Sequence, residues 1–200
     1  LWFDSAHDRV SMHIHLQVEE GDRMRATMAA HRDGVWTTHA TATMAVAEVG
    51  EKESFPIDDR HAVQEVDNER MLGMLSEMSI DWGPRWVWFD GMGETESLKF
   101  GRFALPEGVS FDAPIPGGLL DNSFSIPFIQ ADAPEGDRVP RLPFRLDKLT
   151  WYGHSDPVTW ATGEPRSIEA DIQTASLSYW SESGELVAHI DGFTARNAPK

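Results

Sequence analysis

His13 and His15 stand two residues apart in a stretch where polar and apolar side chains alternate. On a strand both would point to one face, where two neutral imidazoles could hold a metal ion. The spacing supplies no third ligand, so a polar strand face is the simpler expectation. A second cluster, Trp151-Tyr152-Gly153-His154-Ser155-Asp156, sets an imidazole, a hydroxyl and a carboxylate in succession. A nucleophilic triad is a spatial arrangement that adjacent residues seldom make, and no Gly-x-Ser-x-Gly turn is present. Gly91-Met92-Gly93 reads as a turn, without the strand–glycine–helix context of a phosphate loop. The chain has no cysteine. That removes disulfides, thiolate zinc sites, iron–sulfur clusters and a Cys nucleophile. No cofactor and no metal is expected.

The elements that must position any chemistry can be read from pattern. Two hundred residues suit one ordinary soluble globular unit, or two small ones sharing a core. A net charge of −16 argues against nucleic acid and against anionic membranes as partners. No apolar run approaches the ~18 residues of a membrane span, and no signal peptide is visible. The chain opens on Leu1-Trp2-Phe3, which reads as the inside of an element and suggests a piece of something longer.

Val10, Met12, Ile14, Leu16 and Val18 alternate with polar neighbours and predict a strand. Glu20-Gly21-Asp22 and Asp33-Gly34 are turn signals, so strands over 23–30 and 36–46 should complete an antiparallel meander. Residues 50–59 read as a charged linker. Asn68 is expected to cap a helix carrying Met71, Leu72, Leu75 and Met78. Pro84 ends helical structure, and a strand pair is expected over 87–89 and 94–105. A second helix should open at Leu119-Leu120-Asp121, with Pro127 shortening or bending it. Strands are expected over 142–152, 168–180 and 186–194. Strands, helix, strands, helix, strands with no βαβ alternation predict an α+β fold with an antiparallel sheet.

Trp82, Trp86, Trp88 and Phe89 cluster after the first helix and are expected to pack helix against sheet. The acidic stretches 51–53 and 132–137 should be solvated loops. His39 is expected to be structural.

Four segments, in order, resemble the dehydratase domain of modular polyketide synthases, a double hotdog fold. Trp36-Thr37-Thr38-His39-Ala40 is similar to a Trp-x-x-His-Ala strand closing the first hotdog. Trp82-Gly83-Pro84-Arg85-Trp86 resembles Tyr-Gly-Pro-x-Phe after a helix. Pro116-Gly117-Gly118-Leu119-Leu120-Asp121 resembles His-Pro-x-Leu-Leu-Asp. Leu142 to Leu149 and Gly184 to Phe193 look like the closing strands. The resemblance implies remnant strands of a first hotdog over 1–50, a linker over 51–60 and a second hotdog over 61–200.

It further implies a cytoplasmic, dehydratase-type lyase in a multidomain synthase. Such an enzyme removes water from a β-hydroxyacyl group tethered through phosphopantetheine to an acyl carrier protein, with a related double-bond shift or oxygen-ring closure on the same scaffold. A His takes the α-proton and an Asp protonates or orients the leaving hydroxyl. Asp121 matches that Asp, and Trp82, Pro84, Trp86, Leu120 and Ser125 match positions that would contact substrate. The carboxylate is expected to face an apolar cavity walled by some of Trp82, Trp86, Leu120 and Phe124. By position alone an N-terminal helix cap is the simpler expectation for Asp121.

The chain departs from the family pattern in four places. No His stands in a His-x-x-x-Gly-x-x-x-x-Pro motif, Trp82 replaces the Tyr, Pro116-Gly117 the His-Pro, and Ser125 a longer polar residue. The alternatives are a non-catalytic dehydratase-like domain kept for architecture and dimerisation, and a hotdog acyl thioesterase. An acidic carrier would have to dock on a local basic patch such as Arg141, Arg145 and Lys148. The partners implied are the carrier, other synthase domains and a second copy of the chain.

Overall fold

The computed structural model describes residues 10–48, 55, 64–77, 80, 82–95, 98–110, 113, 115–128, 140–153, 156–169 and 171–198. The chain divides into two compact units, Leu1–Gly50 and Glu51–Lys200.

The first unit is an antiparallel sheet of β1 (Ser11–Val18), β2 (Arg23–Arg32) and β3 (Val35–Ala45), in that order. Its two hairpins turn where the sequence signals them. Asp33 and Gly34 both take positive φ, at 51° and 80°, the geometry that matches the right-handed twist of the flanking strands. Register puts Met12, Ile14, Leu16 and Val18 opposite Ala30, Met28, Ala26 and Met24. Ala40, Ala42 and Met44 continue the same rows on β3. A register shift after Met28 leaves His39 as the extra residue of a bulge. One face of this sheet is therefore apolar except at Thr37, which stands opposite Ala30, yet Ala30 is the sheet's one buried residue among those described.

The second unit contains β4 (Gln64–Val66), α1 (Asn68–Glu77), β5 (Phe89–Glu94), β6 (Lys99–Phe103), α2 (Gly117–Ser123), β7 (Arg141–Trp151), β8 (Val158–Ile168), β9 (Ile172–Ser181) and β10 (Leu186–Asn197). Single 3-10 turns lie at Pro84–Trp86 and Ile126–Phe128. The seven strands run β4-β5-β6-β8-β9-β10-β7, and every neighbouring pair is antiparallel. The core joins α1 through Met71, Met74 and Leu75, α2 through Leu119, and the sheet through Phe89, Leu177, Tyr179, Ile190 and Phe193. This is the α+β arrangement of an antiparallel sheet around a short central helix.

Several local expectations are corrected. The α1 cap is Asp67, one residue before Asn68: its Oδ1 accepts the Arg70 N–H at 2.8 Å. Gly91-Met92-Gly93 lies inside β5, and the turn comes later, where Thr95 N–H donates to Leu98 O at 2.8 Å. Gly93 is needed in the strand because the Phe100 ring directly across occupies the place of a Cβ. The strand expected over 168–180 is β9, which begins at Ile172, and a strand that the sequence pattern does not predict, β8, precedes it over Val158–Ile168. The second helix starts at Gly117, two residues before Leu119, and ends before Pro127. The residues 50–59 expected as linker lie outside the described ones apart from Phe55, as do Met78, His154, Ser155 and the acidic stretch 132–137.

Candidate active site

Helix α2 carries three consecutive polar or charged side chains, Asp121, Asn122 and Ser123, after an apolar start. Pro116 stands at its N-cap with an extended backbone, and Leu120 N–H closes the first turn onto Pro116 O at 2.9 Å. Gly118 faces Trp88 so closely that a Cβ there would strike the indole. Loss of that side chain is what lets α2 approach the segment leading into β5.

Asp121 sits in the C-terminal half of α2, so it is not the N-terminal cap. Its carboxylate is half-buried, and Oδ2 accepts the Trp86 indole N–H at 2.9 Å. Asn122 is fully buried and both ends of its amide are used. Oδ1 accepts the Trp88 backbone N–H at 2.8 Å, and Nδ2 donates to Trp86 O at 3.0 Å. Two adjacent helix residues thus hold the side chain and the main chain of one neighbouring segment.

Ser123 lies one step further along. Its hydroxyl donates to Leu120 O at 2.7 Å and meets the Tyr179 hydroxyl at 2.8 Å. With the serine proton given to Leu120, the phenol must be the donor between the two. Burial pushes the Tyr179 phenol well above its ordinary value near 10. Ser125 turns its hydroxyl back to Asn122 O at 2.6 Å.

Of the aromatic residues expected around Asp121, Trp86 meets the carboxylate. Trp82 stacks on Phe89 at 6.4 Å between ring centres, and Phe124 stacks on Phe193 at 4.4 Å. Leu120 packs on the core from α2. Pro84 opens the 3-10 turn that delivers Trp86, closed by Trp86 N–H onto Gly83 O at 2.8 Å. Asn122, Ser123, Tyr179 and Trp88 were not picked out for the site by sequence. The signal for Asn122 and Ser123 is that they extend the polar run from Asp121 after the apolar start of α2.

The other candidates lie elsewhere. His13 and His31 both pack against the Trp36 ring, at 4.4 and 4.8 Å between centres. Among the described residues no three His, Asp or Glu side chains come together to hold a metal ion. No described helix is long and apolar enough to cross a membrane. Of the basic patch, Arg145 pairs with Asp147 at 2.6 Å and burial lowers the Arg141 guanidinium. A concavity of about 590 Å³ opens beside Phe144, Asp171 and Arg196, and Asp121 does not line it.

An antiparallel sheet around a short helix, with a carboxylate near the helix end held from a neighbouring turn, defines a hotdog-fold protein with its candidate site on the helix. The chain belongs to the polyketide synthase dehydratase family: the model described as polyketide synthase dehydratase N-terminal domain matches residues 50–200. Solved dehydratase domains share the fold. That of the CurH module of curacin polyketide synthase is 15% identical with a TM-score of 0.83, over 100% of this chain and 74% of that one. A trans-AT polyketide synthase dehydratase domain from Brevibacillus brevis is 17% identical, TM-score 0.81, over 95% and 70%. An inactive Asp-to-Asn mutant of the CurK dehydratase is 20% identical, TM-score 0.79, over 96% and 70%. No curated protein matches the sequence.

Proposed function

We propose that this chain is a dehydratase-type lyase unit that eliminates water from β-hydroxyacyl thioesters carried on the phosphopantetheine arm of an acyl carrier protein. In this reading residues 1–50 are the closing strands of a first hotdog and 61–200 a second. The observation that carries it is Asp121, a half-buried carboxylate with one oxygen anchored by Trp86 and standing in the segment that resembles the family's Asp motif. Elimination needs a proton or a hydrogen bond delivered to the departing hydroxyl, and a positioned carboxyl group supplies it. The Asp-to-Asn CurK dehydratase, described as inactive, supports a carboxyl role in that relative.

The α-proton also needs a base. None of the eight histidines has the family's spacing. Among the described residues of the second unit the histidine is His189, whose Nδ1 is bonded to Ser178 Oγ at 2.9 Å. That observation favours a second reading, a non-catalytic dehydratase-like domain kept for architecture. Turnover of a pantetheine-linked β-hydroxyacyl thioester separates the two. Under the first reading the wild type forms the unsaturated product and Asp121→Asn is slower by roughly 10²–10⁴-fold. A folded, full-length wild type that forms no product favours the second.

A further inference from the structure

We propose that Trp86 is the positioning residue of Asp121, fixing the carboxylate so that Oδ1 is the oxygen presented to a substrate hydroxyl. The inference rests on the role given to Asp121 above. A free aspartate rotates broadly about its last torsion and its two oxygens exchange places. Here the Trp86 indole N–H donates to Oδ2 at 2.9 Å, while Oδ1 has no hydrogen-bond partner among the described residues. One donor therefore chooses between the oxygens.

The indole is itself held in place. Trp86 N–H is bonded to Gly83 O at 2.8 Å, and Trp86 O accepts from Asn122 at 3.0 Å. Asn122 also takes the Trp88 N–H, so the main chain on both sides of Val87 is tied to the residue next to Asp121. Asn122 is 0% exposed, which makes it a rigid reference point. Trp86 itself is 45% exposed. A tryptophan present for core packing would be buried, and this one spends its N–H on the carboxylate instead. Phenylalanine at the same place would keep the ring and lose the choice of oxygen.

The indole signal in 1H–15N spectra of the 200-residue chain tests the anchor directly. In the wild type the Trp86 Nε1–H signal should lie downfield and exchange slowly with solvent, as a hydrogen-bonded indole does. Asp121→Ala removes the acceptor and should move the signal upfield and speed its exchange. A signal with the same position and exchange rate in both proteins overturns the proposal whatever the activity.

Kinetics test the consequence. With the thioester substrate, Trp86→Phe should lower kcat about tenfold or more and leave KM within about twofold. Adding it to Asp121→Asn should lower nothing further, since a residue that acts through another is silent once the other is gone. Trp86→Phe at the wild-type kcat, with the fold intact by circular dichroism, overturns the proposal. A full-length wild type without turnover removes the dehydration reading, and the indole signal then decides the anchor alone.

Discussion

The two units of this chain are both antiparallel and both built on alternating patterns, yet one has a core and the other has a face. In the second, two helices and a 3-10 turn lie against the sheet, and residues from β9, β10 and α2 reach 0–1% exposure. In the first, Ile14 is 70% exposed and Val18 78%, on a face where every β1–β2 pair is apolar. Alternation fixes strands and their register, because one slipped residue would turn every side chain to the other face. It does not remove apolar surface from water. Only a second layer does that, and the second unit carries its own layer in α1, α2 and the Ile126–Phe128 turn. The contrast also explains where a site can be built: Asp121 needs Asn122 and Ser123 locked around it, and such locking exists only where side chains are enclosed.

The sharpest way to break this comparison is to delete one large side chain from each unit. Phe193 is 1% exposed and stacks on Phe124 at 4.4 Å between ring centres. Phe193→Ala should cost about 3–5 kcal/mol by lost transfer energy and the cavity left behind. Ile14→Ala, on the open face, should change stability by no more than about 0.5 kcal/mol. Denaturant unfolding of the full chain followed by tryptophan fluorescence measures both. Similar losses at the two positions would mean that the apolar face of the first unit is enclosed in solution.

Asn122 gives the next effect. Asn122→Leu keeps the volume but strips the Trp88 N–H and the Trp86 carbonyl of their partners. A buried polar group left unpaired costs about 1–3 kcal/mol, so a loss of about 2–4 kcal/mol is expected by the same unfolding experiment. The Trp88 amide should also lose its slow hydrogen exchange. A neutral substitution would show that water replaces the side chain without cost, and that the clamp beside Asp121 is not rigid.

The hairpins of the first unit were legible because Asp33-Gly34 permits few alternatives and the alternation before it is unbroken. The helix and strands around the site were less so. β8 was missed because Gly163 and Pro165 look like turn residues. In the fold Gly163 is a contact point: a Cβ there would lie 3.0 Å from Pro127. Pro165 falls past Gly163, the last residue of β8 that pairs with β6 at that end, where a missing N–H can face an open edge. Gly93 and Gly101 were similarly opaque, since each makes room for an aromatic ring on the neighbouring strand. These glycines serve contacts distant in sequence, which local propensity does not encode. Asp121 itself was found through its resemblance to a motif. Its partner Trp86 is 35 residues away in the chain, and no spacing rule would have joined an indole to that carboxylate.

The smallest effect at neutral pH concerns Tyr179, and it separates the units by chemistry instead of packing. The phenol is buried and donates to Ser123, so Tyr179→Phe should cost only about 0.5–1.5 kcal/mol near pH 7. At alkaline pH the same residue dominates. Its folded-state value is raised above the unfolded one near 10, so its stabilisation is intact below pH 10. As pH rises further the unfolded state loses the phenolic proton while the folded state keeps it. Stability should then fall by about 1.4 kcal/mol per pH unit until the folded phenol ionises or the protein unfolds. Phenylalanine has no proton to lose, so Tyr179→Phe should flatten this part of the profile and become more stable than wild type at the highest pH. The measurement is the denaturant midpoint of both proteins from pH 8 to 11.5. Parallel curves would show that Tyr179 reaches water before the second unit opens, contrary to an enclosed core.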